Sequence, residues 1–521
     1  FVYSLNYEVY GRLDWFLFKM QRTGTAAIYV AIWVISFLSI LSIGFMSSQT
    51  LRFFWGFLIS ISALVSSLHY QILHEPVGID SFEMLIIERA NLSNAISNYG
   101  NFAISSVLKA ILLFIALTIP SPKYISMRYT GFIPSIPIII IIGIIYHTAG
   151  SGLNGLPWQF TSLSTVLSVA FSQQDINAER KEVEIPIVNK DQVKHIVLII
   201  DESIRADYID LNKDQNVTPY LKEIRNDIIN FGIATSGANC SSTSNAIIRM
   251  GGVPQNLGIS SKSIMKNPTI WQFFHKAGYK TTYIDAQNQK GNLHNFMNQK
   301  EFESIDQVRY IDGENYEKDH LAAKIIQDLL LSEEPQFIYL NKAGAHFHYE
   351  DYYPDNSSPF VPHMVHKELT KNNKDRLVNS YKNVVRWSVD EFFKILIKDN
   401  KLQDSLIIYS SDHGQNLLDD DDPVTHCRRN NVLQQEGMVP LFVITDRPEL
   451  QEKFKKAAEL NFNMASHFQI FPTIIYILGY DEKTIEQQYG KGLFEKQDAK
   501  IGFAYGPIFG KFGKKVSWHF Q

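Results

Sequence analysis

Four apolar runs precede residue 148, and they constrain the chain more than any other feature. They read TAAIYVAIWVISFLSILSIGFM (25–46), FFWGFLISISALVSSLHYQIL (53–73), FAISSVLKAILLFIALTIP (102–120) and GFIPSIPIIIIIGIIYH (131–147). Crossing a hydrocarbon core of about 30 Å takes about 20 mostly apolar helical residues. The first two runs meet that length. The third carries the single Lys109, and the fourth is short and interrupted by Pro134 and Pro137. The reading is a transmembrane helical domain over 1–147 with four spans. Buried core helices are the alternative, and four such runs in succession argue against it. A signal peptide does not account for them. The stretch 1–20 mixes Arg12, Asp14, Trp15 and Lys19 and fits a segment that follows an earlier span.

Loop charge gives an orientation. The 121–130 loop holds Lys123 and Arg128 and no acid, so it reads as cytoplasmic. The 74–101 loop holds Glu75, Asp80, Glu83 and Glu88 against Arg89, so it reads as external. Everything after 148 is then expected outside the cytoplasm, although Arg12, Lys19 and Arg22 fit this less well. Within the external loop, Met84, Ile87 and Leu92 among polar residues suggest an amphipathic surface helix at about 80–98. Residues 148–193 read as a connector, Gly-rich and then polar.

From 194 to 521 the pattern changes. Apolar strands, HIVLII (195–200), KTTYID (280–285), QFIYLN (336–341), SLIIYSS (405–411) and VPLFVIT (439–445), alternate with helical stretches such as 316–332 and 375–398. That alternation indicates an α/β domain with a mainly parallel sheet and helices on both faces. Chemistry in such sheets gathers at the carboxyl ends of strands. The net charge of −4 gives no case for nucleic acid as a partner.

Two of these strands end in acids. IVLIIDES runs into Asp201 and Glu202, and LIIYSSDHGQ runs into Asp412 and His413. Buried carboxylates need partners, and a divalent metal is the usual one. Carboxylate plus imidazole suits zinc, with manganese as the alternative. Each acid alone is equally a helix cap; together in one sheet they favour a metal. Between the strands lies GANCSSTSNAI (237–247), five consecutive hydroxyl or thiol residues before an apolar turn. By itself this is an over-supplied helix N-cap. A helix start also favours anions and can carry an activated nucleophile.

DES (201–203), NCSSTSNA (239–246) and SDHG (411–414), in this order, resemble the alkaline phosphatase and sulfatase superfamily. TPYL (218–221), VPLF (439–442) and SHFQIFPTIIYILGY (466–480) extend the resemblance. With the spans in front, the chain is similar to the inner-membrane phosphoethanolamine transferases that modify lipid A or lipopolysaccharide core. The related lipoteichoic acid synthases share the layout. The resemblance implies a bacterial inner-membrane, multi-pass protein with its catalytic domain in the periplasm. It implies a phospholipid donor, phosphatidylethanolamine, an envelope glycolipid or glycan acceptor, and one or two zinc ions.

Carried over residue by residue, the metal ligands would be Glu202, the nucleophilic hydroxyl, Asp412 and His413, with Asp201 a further candidate because sulfatases use an acid pair. In sulfatases the nucleophile precedes a Ser/Thr by three residues, an Arg by four, and then an apolar turn. Laying Ala246, Ile247 and Ile248 on that turn selects Ser241, with Thr243 in reserve, the residue type these transferases generally use. Asn245 then stands where sulfatases have arginine, which argues against a sulfatase. YIDAQNQKG (283–291) resembles a segment whose lysine contacts the phosphoryl group, giving Lys290. KAGAHFHY (342–349) gives His346, with His348 as decoy or helper, and DDPVTHC (421–427) gives His426. These two histidines would bind the transferred phosphate or a second zinc. Glu88, Asn91 and Asn94 are candidates for the donor lipid. The only two cysteines, Cys240 and Cys427, adjoin Ser241 and His426, so a disulfide, two close thiols or two unrelated cysteines all remain open. The function implied is transfer of phosphoethanolamine through a phosphoserine. A phosphoglycerol transferase, a sulfatase or phosphodiesterase, and a non-enzymatic membrane scaffold are the rivals.

Overall fold

The computed structural model describes the chain except residues 1–8, 74–75, 79–80, 83–91, 120–129, 149–152, 172–178, 190–191, 260–263, 288–292, 365–370, 399–401, 423, 507, 509–515 and 521. For 72–73, 92–103, 171 and 371 it describes the backbone alone. The chain divides into two units, Phe1–Gln174 with Lys511–Lys514, and Asp175–Gly510 with Lys515–Gln521.

The first unit is helical, with helices at Thr23–Gly44, Gln49–Leu73, Leu92–Thr118, Ser135–His147 and Trp158–Phe171. Among the described residues, two helices are long and apolar enough to cross a membrane, Thr23–Gly44 and Gln49–Gln71. The third apolar run belongs to a longer helix that begins at Leu92, so 92–98, expected in a surface helix, continue directly into it. Of the remainder of that expected helix, 81–82 are helical and 80 and 83–91 lie outside the described residues. The fourth run shortens to the 13 residues Ser135–His147, about 20 Å of helix. Pro134 is its N-cap and Pro137 falls in its first turn, where a missing N–H is tolerated.

The expected connector, 148–193, contains a further helix. Trp158–Phe171 reads as polar because of Thr161, Ser164, Thr165 and Ser168. Each of these hydroxyls donates to the carbonyl four residues back, at 2.8 Å, and so travels into the apolar interior already satisfied. Ser66 Oγ meets Ser162 Oγ at 2.5 Å and Ser67 Oγ meets Ser106 Oγ at 2.7 Å. Small hydroxyl residues let these helices approach closely and link them by hydrogen bonds.

The second unit is built on seven strands: β1 His195–Asp201, β2 Ile229–Thr235, β3 Lys280–Asp285, β4 Gln307–Tyr310, β5 Gln336–Asn341, β6 Ser405–Ser411 and β7 Met438–Thr445. A two-stranded ribbon, β8 Phe503–Tyr505 with β9 Ser517–His519, stands apart. The main sheet runs β2-β7-β6-β1-β5-β3-β4, parallel throughout except for β7. Every residue of β1 is buried because β5 and β6 flank it and both faces are covered. Its side chains still alternate. Ile196, Leu198 and Ile200 enter one core, with Trp271, Phe273 and Phe471. Val197 and Ile199 enter the other, with Tyr381, Val385 and Phe393.

Two strands of this sheet escape the pattern seen in the sequence. β2 contains Gly232 at φ 77° and a register shift between Asn230 and Ile233. β4 is a four-residue edge strand with no fully buried residue. The register of the central strands is what positions the site. Asp201 pairs with Ser411, Ile200 with Asn341, and Asp285 with Asn341, so four strand ends lie side by side.

Candidate metal centre and nucleophile

Just past those strand ends, Glu202, Asp412 and His413 present ligand atoms that all lie within 4.8 Å of one another, and all three residues are buried. Backbone bonds hold them there. Asp412 N donates to Asp201 O at 2.8 Å and Ala345 N to Glu202 O at 2.9 Å. His413 N donates to Asp412 Oδ1 at 2.7 Å. Gly344 closes the space behind, at φ 52°. A Cβ there would meet Asp201 Oδ1 at 2.2 Å and Glu202 N at 2.7 Å, so only glycine fits.

The hydroxyl-rich stretch enters from the helix Ser241–Met250, capped by Cys240 and ended by Gly251 in the left-handed conformation. Ser241 Oγ lies 3.0 Å from His413 Nε2 and 3.3 Å from Glu202 Oε2. The other hydroxyls have local work. Thr243 Oγ1 donates to Cys240 O at 2.9 Å, and Ser244 Oγ lies 3.0 Å from His467 Nδ1. Asn245 Nδ2 donates to Ser241 O at 3.1 Å, and its Oδ1 accepts Tyr339 OH at 2.7 Å. Of the two candidate nucleophiles, Ser241 is therefore the one in the cluster. Cys240 and Cys427 form a disulfide, with Cα atoms 4.8 Å apart.

The electrostatics are those of crowded acids. Burial, and then the Glu202 carboxylate, push Asp412 up to about 7. Burial would raise Glu202 too, but the surrounding histidines, His413 foremost, outweigh it and hold Glu202 at about 2. Burial would lower His413, and Asp412 and Glu202 raise it instead.

The donor set suits a divalent cation. Two carboxylates and an imidazole converge, and Asp412 Oδ2 is buried without a well-formed hydrogen bond. His413 Nδ1 donates to Gly414 O at 2.6 Å, which assigns the proton to Nδ1 and leaves the Nε2 lone pair facing the cluster.

The remaining predicted residues fall into three groups. His346 and His426 both lie within electrostatic reach of Glu202. The His426 ring stacks on His413 at 4.3 Å between centroids, and its Nδ1 lies 3.2 Å from Gln415 Oε1. Burial, and then His413, push His426 down to about 3, so it is uncharged. His346 Nδ1 lies 2.8 Å from Phe347 O. His348 is buried against the Phe347 ring.

Asp201, the further candidate ligand, is not among the clustered residues. Its Oδ2 is taken by the Lys342 ammonium and by Tyr409 OH at 2.8 Å, and its Oδ1 accepts Glu202 N at 2.9 Å. An ammonium already neutralises this acid, and burial raises its carboxyl to about 6.

Lys290, Glu88 and Asn91 lie outside the described residues; Asn94 sits in the helix Leu92–Thr118, of which only the backbone is described there.

Sequence reasoning passed over two residues. Gln287 Nε2 donates to Glu202 Oε2 at 3.0 Å. Lys342 is wholly buried behind the site. The one signal available was a lysine directly at the end of an apolar strand.

A mainly parallel sheet ending in a carboxylate–imidazole cluster beside a helix-borne hydroxyl defines an α/β domain of the alkaline phosphatase and sulfatase kind. The chain belongs to the sulfatase family, whose model matches residues 194–480. It is 23% identical over 306 residues to the Kdo(2)-lipid A phosphoethanolamine 7''-transferase of Escherichia coli K12, covering 55% of this chain and 52% of that protein. The chain spans about half the length of the curated relatives it matches. Its fold is similar to that of the integral membrane lipooligosaccharide phosphoethanolamine transferase A of Neisseria meningitidis, with TM-score 0.64, 16% identity, and 85% and 87% of the two chains covered. It is also similar to the C-terminal periplasmic domain of EptC from Escherichia coli in complex with zinc, with TM-score 0.53, 17% identity, and 66% and 96% covered.

Proposed function

We propose that the chain is a membrane-bound, metal-dependent phosphoethanolamine transferase, acting from phosphatidylethanolamine to an envelope glycolipid or glycan. The observation that carries this is the position of Ser241 Oγ, at a helix N-terminus, 3.0 Å from His413 Nε2 and 3.3 Å from Glu202 Oε2. The relatives named as phosphoethanolamine transferases support the choice of group transferred.

Glu202, Asp412, His413 and Ser241 would hold a zinc ion, which would supply Lewis acidity for phosphoryl chemistry. In the first half-reaction Ser241 Oγ gives up its proton and bonds to phosphorus. The bond from phosphorus to the diacylglycerol oxygen breaks, and that oxygen takes up a proton. In the second, an acceptor oxygen bonds to phosphorus, and Ser241 Oγ leaves and is reprotonated. The N-terminus of Ser241–Met250 directs backbone N–H groups at the developing negative charge. His426, stacked on His413, and His346 would line the phosphoryl position, and Lys290 would add a positive charge. Glu88, Asn91 and Asn94 are proposed for the donor lipid.

The first unit is proposed to sit in the bacterial inner membrane and the second in the periplasm, where donor and acceptor both lie. The helices Thr23–Gly44 and Gln49–Gln71 support that location.

The test is intact-protein mass after incubation with labelled phosphatidylethanolamine and no acceptor. Wild type should gain one phosphoethanolamine group and Ser241→Ala none. Normal turnover in Ser241→Ala would sink the assignment. A phosphoglycerol adduct would identify the other donor, and release of free phosphoethanolamine without acceptor would identify a hydrolase.

A further inference from the structure

Glu202 is held by a closed ring of four residues, and the ring contains a side chain that makes no contact with the proposed nucleophile. Asp201 Oδ1 accepts the backbone N–H of Glu202 at 2.9 Å. Asp201 Oδ2 takes the ammonium of Lys342, whose side chain has no exposure at all. The carbonyl of Lys342 accepts Gln287 Nε2 at 2.7 Å. The same Gln287 amide donates to Glu202 Oε2 at 3.0 Å and so closes the ring.

Each member is anchored from outside. The Lys342 ammonium also contacts Ser388 O, lies 3.6 Å from Asp319 Oδ2 and sits 4.4 Å over the Phe392 ring. Asp319 in turn accepts Ala343 N at 2.8 Å and Gly344 N at 3.0 Å. Gln287 N donates to Asp285 Oδ1 at 3.0 Å, and Asp285 Oδ2 is fixed by His294 Nε2 at 2.8 Å.

We infer that Gln287 is a positioning residue, which acts through Glu202 to set the geometry of the metal centre. A carboxylate that ligates a metal with one oxygen can rotate unless something holds it. Glu202 Oε1 accepts Ser203 Oγ at 2.6 Å, and Gln287 holds the other oxygen, the one nearest Ser241. The buried Lys342–Asp201 pair fixes the carbonyl on which Gln287 depends. It also withholds Asp201 from the metal, so the strand end offers one acid ligand instead of two. Outer-shell partners of this kind tune metal affinity typically by 10- to 100-fold.

The inference rests on Glu202 being a metal ligand, as proposed above. The experiment is the zinc dissociation constant of the full chain in detergent, read by competition with a chelating dye, alongside the melting temperature of the metal-free protein. Gln287→Ala should weaken zinc at least tenfold while the metal-free protein melts as wild type does. Gln287→Leu keeps the bulk of the side chain and removes the donor, so it should weaken zinc equally. Zinc binding within threefold of wild type in Gln287→Ala would overturn the inference. Recovery of affinity in Gln287→Leu would overturn it as well, because packing and not the hydrogen bond would then be the cause. Wild type that binds no zinc would instead refute the metal centre, and this inference with it.

Discussion

Cys240 and Cys427 are 187 residues apart, and replacing both with serine tests how the second unit is held together. Cross-linking a loop of that length removes, in the chain-entropy description, about 5 kcal/mol of freedom from the unfolded ensemble, with 2–4 kcal/mol typical of measured disulfides. The folded state should change little. Asn239 O accepts Cys427 N at 2.9 Å, and Asn239 Nδ2 donates to Arg428 O and Glu436 Oε2, each at 2.8 Å. These bonds already join the segment before Ser241 to the segment after His426. Glu436 is itself fixed by Arg428 at 2.7 Å. The effect of Cys240→Ser/Cys427→Ser should therefore fall on stability and not on the reaction. For a unit of roughly 340 residues, the unfolding entropy is about 0.7 kcal/mol per kelvin. A loss of 2–5 kcal/mol then lowers the melting temperature by about 3–7 °C. Differential scanning fluorimetry of the full chain in detergent reads this, with transfer at 25 °C as the companion assay. Melting within 2 °C of wild type would refute the entropic argument. So would alkylation of both cysteines in unreduced wild-type protein. Loss of transfer in a variant that still melts within the expected range would show that the disulfide holds the site's geometry and that Asn239 does not suffice.

Gly344→Ala puts a Cβ 2.2 Å from Asp201 Oδ1 on a backbone at φ 52°. The left-handed conformation costs about 1–2 kcal/mol, and displacing Asp201 from Lys342 about 3–5 kcal/mol more. Zinc binding should be lost and melting should fall by more than in the cysteine variant; a wild-type melting curve would contradict the packing described. Burial raises Asp390 to about 6 from an ordinary 3.8, against the Leu221 and Tyr220 N–H groups it accepts at 3.0 and 3.1 Å. A raised folded-state value means its contribution is complete below about pH 4 and is lost as pH rises to about 6 and above. Asp390→Asn should remove that dependence, with the gain at pH 7 offset by about 1–3 kcal/mol because its Nδ2 cannot accept the second N–H group, measured as melting temperature against pH; an unchanged profile would count against the burial argument. Stripping zinc with a chelator should lower the melting temperature by about 4 °C relative to protein held in zinc at 100 times its dissociation constant, a difference of about 2.7 kcal/mol. Re-adding zinc should restore it, and a melting curve indifferent to chelator would argue against the metal.

The central strands were legible in the sequence because burial on both faces forces uninterrupted apolar runs, and β1, β3, β5, β6 and β7 all fall where those runs do. β2 and β4 were not, since Asn230 and Gly232 break one pattern and Gln307 and Arg309 leave the other half open to solvent. The helix Trp158–Phe171 was hidden by its own serines and threonines, which look polar in a sequence and behave as apolar once bonded back to their helix.

The site divides along the same line. Glu202, Asp412 and His413 announce themselves because a strand that ends in acids is costly without a cation. Ser241 comes from the sulfatase pattern laid on the apolar turn behind it, and the apolar turn alone would not separate it from its neighbours. Asp201 shows where such reasoning stops. Its sequence context is the same as that of Glu202, one residue away, and both are buried at the same strand end. What separates them is Lys342, 141 positions along the chain, which arrives because Ile200 pairs with Asn341 and so sets the next residue of β5 beside the next residue of β1. An ammonium there converts a metal-ligand candidate into half of a buried ion pair. The local sequence states which groups are available to a site, and strand register decides which of them face the metal and which face each other.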